Sequence, residues 1–134
     1  FFFFFTMSCW PAAPEIKTEE LRRISMSMYA KMMKTTDDRD VDGYMALLHD
    51  DYVFVRHQTG TEVSKADWGP AMAEMMASDK LEFFNNRCIY ENDEIVVSHQ
   101  VMGFPDGTKE AVLIVNTIQD GLIVRTETGA TLLK

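Results

Sequence analysis

The sequence lacks the short motifs by which several large functional classes are recognised. It contains no glycine-rich phosphate loop, no Gly-x-Ser-x-Gly sequence, and no histidine pair with the spacing of metal ligands. These absences argue against nucleotide binding, serine-hydrolase chemistry and a metal site. We therefore expect a protein that uses no metal and no cofactor.

Cysteine and positive charge are also scarce. Cys9 and Cys88 are the two cysteines and lie far apart, which is typical of free thiols in a reducing compartment. Thirteen basic residues against 21 acidic ones give a net charge of −8. Nucleic acids and anionic membranes both favour basic surfaces, so the charge argues against both partners.

Long apolar segments are missing too. The run Phe1–Phe5 is too short for a signal-peptide core or a membrane span. We interpret residues 1–14 as a disordered or tag-derived lead-in and residues 15–134 as one domain, and we expect a cytoplasmic protein. A chain of 134 residues suffices for one domain with a hydrophobic core.

Apolar residues at helical spacing predict three helices in the first 80 residues. The first extends from a cap at Thr18 to about Lys34, the second begins at Val41, and the third follows Ser64. Their buried positions would be Leu21, Ile24, Met28 and Met32, then Val41, Tyr44, Met45 and Leu48, then Trp68, Met72, Met75 and Met76. Between the second and third helices, β-rich residues 52–55 and 61–63 predict a short hairpin.

The second half of the chain contains three dipeptides typical of tight turns between antiparallel strands: Asn92-Asp93, Asp106-Gly107 and Asp120-Gly121. Two-residue turns there would place His99 opposite Ile114, and Asn116 opposite Arg125. Residues that face each other share one side of a sheet. One face is thus predicted to carry Ile95, Val97, His99, Val101, Val112, Ile114, Asn116, Ile118, Ile123, Arg125 and Glu127.

A few polar residues among aliphatic ones on this predicted face are typical of a small-molecule pocket. Tyr44 and Trp68 would close it from the helix side, each with a polar atom that can reach a ligand. The polar residues of the sheet face are His99, Asn116, Arg125 and Glu127. The opposite face is too apolar for solvent and predicts a homodimer. It would carry Val96, Gln100, Met102, Leu113, Val115, Thr117, Val124, Thr126 and Thr128.

Helices followed by antiparallel strands predict an α+β fold. The chain contains four further features: the segment from Leu48 to Val55, Thr59-Gly60, Trp68 and the segment from Asp120 to Arg125. In these features and in its element order, the chain resembles the nuclear transport factor 2-like superfamily. That superfamily includes SnoaL-like cyclases and ketosteroid isomerases. The resemblance implies a cone-shaped, curved antiparallel sheet with three helices from the N-terminal half packed on its concave face.

Aligned on Gly60, the position of the ketosteroid isomerase base falls on His57. The resemblance therefore makes His57 a candidate general base, since a histidine titrates near neutrality. The alternative is a histidine at a strand end beside a turn. Arg56 could bind an anionic ligand or be a solvated surface residue. His99 could be a second acid–base group or a hydrogen-bonded core histidine.

Arg125 and Glu127, two residues apart on one strand, could position a ligand or simply pair with each other. Tyr44 and Trp68 could be pocket or core residues. The leading interpretation is a cofactor-independent isomerase, dehydratase or cyclase that acts on an apolar substrate by general acid–base chemistry. The alternative is a non-catalytic module for small-ligand binding or dimerisation.

Overall fold

The computed structural model describes residues 26–134. The predicted cap at Thr18, the predicted helical residues before Met26 and the lead-in of residues 1–14 lie outside this range. The prediction of one helix continuing through Met26 and Ser27 is wrong, because the described helix begins at Met28 after a cap at Ser27. The elements within it are α1 (Met28–Asp37), α2 (Val41–Met45), β1 (Leu48–Arg56), β2 (Thr61–Ser64), α3 (Lys65–Ala77), β3 (Glu82–Glu91), β4 (Ile95–Gly103), β5 (Lys109–Gln119) and β6 (Leu122–Leu133). No helix among these is long and apolar enough to cross a bilayer.

The six strands form one sheet in the order β2-β1-β6-β5-β4-β3. β1 and β6 run parallel, and the other neighbouring strands run antiparallel. The helices pack on one face of the sheet, where Tyr52, Leu48 and Ile123 are almost fully buried together with Trp68 from α3. The predicted α+β architecture, with helices on one side of a mostly antiparallel sheet, is confirmed.

Side-chain caps fix the starts of the first two helices. Ser27 Oγ accepts a hydrogen bond from the backbone N–H of Ala30, and Asp40 Oδ1 accepts one from Gly43. A Cβ at position 43 would collide with the Asp40 carboxylate. Glycine at this position therefore keeps the cap, although glycine within a helix is unfavourable by itself.

The turn at Asp120-Gly121 has two residues, as predicted, and both have positive φ. A bulge follows at once, because Ile118 pairs with Ile123 whereas Thr117 pairs with Arg125. Because of the extra residue, the side chains in the rest of β6 point to the opposite face of the sheet from the one predicted. The predicted placement of Arg125 and Glu127 on the same face as Asn116 is therefore wrong.

The connection between β4 and β5 is longer than predicted. Gly103 pairs with Lys109, so residues 104–108 form a five-residue loop around Asp106-Gly107 instead of a two-residue turn. His99 consequently pairs with Leu113, and not with Ile114. A shift of one residue exchanges the two faces of a strand. The predicted placement of His99 among the inward residues is therefore also wrong.

The turn between β3 and β4 lies one residue later than predicted, since the backbone N–H of Asn92 donates to the carbonyl oxygen of Ile95 and encloses Asp93-Glu94 instead of Asn92-Asp93. Asn92 Oδ1 accepts hydrogen bonds from the backbone N–H groups of Glu94 and Ile95, and pairing begins with Glu91 opposite Val96.

The pairings of β4, β5 and β6 determine which side chains of these strands point inward. They are Val96, Ser98, Gln100, Met102, Glu110, Val112, Ile114, Asn116, Ile123, Thr126 and Thr128. The face predicted to form a dimer is accordingly divided, with Gln100, Met102 and Thr126 inside and Leu113, Val115 and Thr117 outside.

Candidate functional site

A cavity of ≈ 270 Å³ lies between the helices and the inward face of the sheet. Its helix wall is almost entirely apolar. Trp68 from α3 stacks on Phe54 from β1 with ring centroids 4.0 Å apart, which gives the wall a rigid aromatic part. The rest of this wall consists largely of methionine side chains from α1 and α3, namely Met32, Met33, Met72, Met75 and Met76.

The methionines come from regular helical spacing. Trp68, Met72, Met75 and Met76 occur at i, i+4, i+7 and i+8 on α3, which places them on one side of the helix. Met32 lies on α1 and is equally buried. Methionine is unbranched and polarisable, so this wall can adapt its shape to an apolar guest.

Arg39 holds the end of α3 against the sheet. Its guanidinium donates hydrogen bonds to the carbonyl oxygens of Met76, Ser78 and Leu81, at distances of 3.1, 2.9 and 2.8 Å. Met76 and Leu81 both line the cavity. Since the last carbonyls of a helix have no partner within the helix, Arg39 both caps α3 and positions one rim of the cavity.

The sheet wall of the cavity is mixed in polarity. Apolar Val112 and Ile114 alternate across it with buried polar side chains. The polar residues that line the cavity from the last three strands are Ser98, Gln100, Asn116, Thr126 and Thr128. The cavity is therefore amphipathic: apolar on the helix side and partly polar on the sheet side.

Arg56 contributes a positive charge to the cavity lining. Its side chain points inward from the end of β1, and Nη2 donates to Glu110 Oε1 at 2.8 Å and to Gln58 Oε1 at 2.6 Å. The Glu110 side chain is 9% exposed and that of Arg56 is 29% exposed. Such a shielded pair is coupled more strongly than a surface ion pair, and it leaves the site with little net charge.

Three aromatic polar groups gather where the helices meet β1. Burial raises the pKa of Tyr44 to about 12, and the nearby polar groups of Trp68 and Tyr52 oppose this change. Burial also raises the pKa of Tyr52, to an even greater extent. Within residues 26–134, neither Tyr52 Oη nor Trp68 Nε1 has a hydrogen-bond partner of good geometry. Tyr44 is thus a neutral hydroxyl beside the cavity at any physiological pH.

Asn116 and Thr126 form a closed polar pair on the sheet wall. Thr126 Oγ1 donates to Asn116 Oδ1 at 2.6 Å, while Asn116 Nδ2 donates to the sulfur of Met32 at 3.8 Å. Asn116 is fully buried. Its oxygen and nitrogen are both engaged, so this pair orders the wall and fixes the orientation of the amide.

Four of the sequence-predicted site residues line the cavity: Tyr44, Arg56, Trp68 and Asn116. The other four lie elsewhere. His99 is on the opposite face of β4, and His57 Nε2 lies 3.2 Å from Glu127 Oε1 on the outer side of the sheet, where Arg125 Nη2 donates to the same oxygen at 3.4 Å. The hydrogen bond from His57, together with Arg125, lowers the pKa of Glu127.

Sequence reasoning missed Ser98 as a lining residue and placed Gln100, Thr126 and Thr128 on the wrong face. One signal for the β4–β5 loop was present: Pro105 directly precedes Asp106-Gly107. Proline has no N–H for a ladder hydrogen bond, so it is unsuited to a central strand and indicates a longer connection. The bulge in β6 has no comparable signal in the sequence.

No group of three or more histidine, cysteine, aspartate or glutamate side chains within residues 26–134 is arranged to hold a metal ion. Nitrogen, oxygen and thiolate groups in such clusters are the usual ligands of structural and catalytic metals.

Comparison with solved structures shows the fold. A candidate ketosteroid isomerase from Kribbella flavida superposes with a TM-score of 0.65 at 17% identity, covering 78% of this chain and 75% of its own. An NTF2-like protein of unknown function from Cytophaga hutchinsonii gives 0.62 at 11% identity, with 87% and 92% covered. IdmH, a candidate polyketide cyclase from Streptomyces antibioticus, gives 0.60 at 17% identity, with 75% and 87% covered.

No functionally curated protein matches the sequence. The model of the SnoaL-like domain matches residues 29–126, a segment that runs from α1 into β6 and includes, of the cavity-lining residues that the structure describes, all except Thr128. The chain therefore belongs to the SnoaL-like domain family and has the NTF2-like fold.

Proposed function

We propose that this protein binds a small, mostly apolar organic molecule in the cavity between α1, α3 and the sheet. The observation that carries the proposal is the amphipathic lining: a methionine and aromatic wall faces a sheet wall with a few inward polar groups. Concave sites with this composition are typical of small-molecule binding.

The volume limits the size of the ligand. A cavity of roughly 150 Å³ holds benzene, so ≈ 270 Å³ suits a molecule of about ten to twelve non-hydrogen atoms. The aromatic stack of Trp68 on Phe54 favours a flat ring system. Fused bicyclic compounds have this size and shape.

The test is a titration with 1-tetralone, a bicyclic ketone, followed by Trp68 fluorescence in a Trp10→Phe background. Saturable quenching is expected, because the ligand would contact the indole of Trp68 in the cavity wall. Binding to the folded state should also raise the melting temperature, since ligand at about 100 times Kd adds about 2.7 kcal/mol to the free energy of unfolding.

A matched pair of variants on α3 locates the binding site. Ala71→Phe would fill the cavity that Ala71 lines, whereas Ala73→Phe would place the same ring on the exposed side of the helix. Binding should be lost in the first variant and kept in the second. Saturable binding that survives Ala71→Phe unchanged, or no binding by the parent protein, would overturn the proposal.

A second candidate is an isomerase, dehydratase or cyclase that acts on such a molecule. The observation that favours it is Tyr44: its raised pKa keeps a hydroxyl donor beside an apolar cavity, where it could stabilise the enolate oxygen that forms as a water molecule in the cavity takes the proton from the carbon next to the carbonyl. Catalysis by His57 or His99 is not supported by their positions outside the cavity. The names of two structural neighbours agree with this candidate but show only a shared fold.

Proton exchange distinguishes catalysis from binding. If the site enolises a bound ketone, 1-tetralone should exchange the protons next to its carbonyl with D₂O faster in the presence of the protein, as measured by NMR. Tyr44→Phe should then slow the exchange, since a positioned acid–base group contributes about 10²- to 10⁴-fold. Exchange at the buffer rate with bound ketone would leave binding alone as the function.

A further inference from the structure

Ser98 and Gln100 differ from the other polar residues of the sheet wall. Both point into the cavity from β4 and are 6% and 9% exposed. Neither side chain makes a hydrogen bond to another group in the part of the chain that the structure describes. The polar atoms of both side chains are open to the cavity, where a guest molecule can supply the hydrogen bonds that inward polar groups normally make.

The neighbouring polar residues show what a structural role looks like in this wall. Thr128 Oγ1 donates to the carbonyl oxygen of Val55 at 3.2 Å, and Glu110 accepts from Arg56 at 2.8 Å. Asn116 is likewise bonded to Thr126. These side chains are satisfied within the protein, whereas the polar atoms of Ser98 and Gln100 remain available to a guest.

The position of the two residues defines one polar strip. They are two residues apart on one strand, so their Cβ atoms lie roughly 6.6 Å apart on the same side. Their cross-strand neighbours on β5 are Ile114 and Val112, which are apolar. Across the cavity lies the methionine wall. A flat ligand would therefore present one polar edge to β4 and an apolar face to the helices.

The chemistry of the strip favours a neutral oxygen. The Gln100 amide can donate and accept, and so can the Ser98 hydroxyl, but neither carries charge. A carboxylate ligand would bind more strongly to a cation than to these neutral groups, but the guanidinium of Arg56 is already paired with Glu110. A keto or hydroxyl oxygen matches both side chains of the strip without bringing an unpaired charge into the cavity.

We propose that Ser98 and Gln100 form the polar subsite of the cavity and recognise a keto or hydroxyl oxygen on an otherwise apolar ring system. The inference rests on the proposed function, because it names the ligand class of the same cavity. It assigns to β4 the selection of oxygenated rings over hydrocarbons of equal size.

The experiment compares 1-tetralone with tetralin, the hydrocarbon of the same shape. Gln100→Leu should weaken 1-tetralone binding by about tenfold while tetralin binding is unchanged or tighter. The change in the ratio of the two Kd values cancels the different hydration of the two probes. Ser98→Ala should change the ratio in the same direction. Gln119→Leu, the same substitution at an exposed position of β5, should leave it unchanged.

The melting temperature of the free protein distinguishes ligand recognition by Gln100 from a purely structural role. Since the Gln100 side chain has no hydrogen-bond partner among residues 26–134, Gln100→Leu should keep or raise the melting temperature of the free protein. A large drop in melting temperature with an unchanged Kd ratio would overturn the subsite. Equal weakening of both probes would overturn it as well.

The experiment distinguishes failure of the proposed binding function from failure of the oxygen subsite alone. If the parent protein binds neither probe, the proposed function fails and the subsite fails with it. If the parent binds both probes in the cavity and Gln100→Leu and Ser98→Ala leave the Kd ratio unchanged, the binding function stands and the oxygen subsite alone is wrong.

Discussion

Thr126 Oγ1 donates a hydrogen bond to Asn116 Oδ1 across 2.6 Å, between two strands whose turn alone would have paired Asn116 with Arg125. The bulge after Gly121 makes this contact, because it moves Thr126 to the inward face and Arg125 to the outer one. The pair is inaccessible to solvent, so its loss leaves a buried amide oxygen unpaired.

Thr126→Val should lower the free energy of unfolding by about 1 to 3 kcal/mol, the usual cost of an unpaired buried polar group. Thr117→Val is the matched control, since Thr117 is exposed on β5 next to the same bulge. Urea unfolding measures both, with an unchanged dependence on urea expected. Equal losses in the two variants would show that the hydroxyl of Thr126 contributes nothing specific.

The Arg56–Glu110 pair should show strong energetic coupling. Arg56→Met and Glu110→Leu should each lower stability by about 1.5 to 3 kcal/mol, because each leaves a charged partner without its hydrogen bonds in a shielded position. The double variant should recover part of the loss, since it removes both charges. Guanidinium unfolding of the four proteins gives the coupling energy, and simple additivity of the two losses contradicts the prediction.

Alkaline pH should destabilise the fold through Tyr44 and Tyr52. Burial raises both pKa values, so the stability that comes from keeping these phenols neutral is present below about pH 10 and is lost as pH rises further. Tyrosinate absorbance from these two residues should therefore appear together with the loss of far-ultraviolet circular dichroism. Absorbance that develops fully before the fold is lost would contradict this account.

Tyr52→Phe should retain full stability at pH 7, because the Tyr52 hydroxyl has no hydrogen-bond partner of good geometry among residues 26–134. It should also make the alkaline decline shallower. Tyr90→Phe serves as the control, since Tyr90 is 57% exposed and its substitution should leave the alkaline decline unchanged. Thermal melts between neutral pH and pH 11 measure both variants.

Acid should weaken the contacts of Glu127 on the outer side of the sheet. Because its pKa lies below the usual 4.5, the contribution of Glu127 to stability is present above that pH and is lost as pH falls through the lowered value. The stability difference between the parent and Glu127→Gln should thus shrink on acidification. Glu74→Gln, on the exposed side of α3, is the control and should show no such trend.

We propose that the outer face of the sheet forms a homodimer. Leu113 is 44% exposed there, and Val115, two residues further along β5, lies opposite Val97 of β4. Val115→Glu should shift the protein toward monomer in light scattering, whereas Ala73→Glu on the exposed side of α3 should not. A parent protein that is monomeric at micromolar concentration would refute the proposal.

The sequence by itself determined the kinds of elements and their order. Apolar periodicity located the third helix through Trp68, Met72 and Met76, and Asp120-Gly121 marked a true two-residue turn. These signals are local: helix faces depend on spacing within one turn, and a turn depends on the φ values of two residues. The inward direction of Tyr44 and Trp68 follows from the same local patterns.

Only the tertiary structure decided which residues of the hairpins face the cavity. The period of a strand is two, so a shift of one residue in the pairing of β4 with β5 places His99 on the outer face and brings Ser98 and Gln100 inward. The bulge in β6 acts on Thr126 in the same way. Whether a strand accepts an extra residue depends on packing against its neighbours, which no short stretch of sequence encodes.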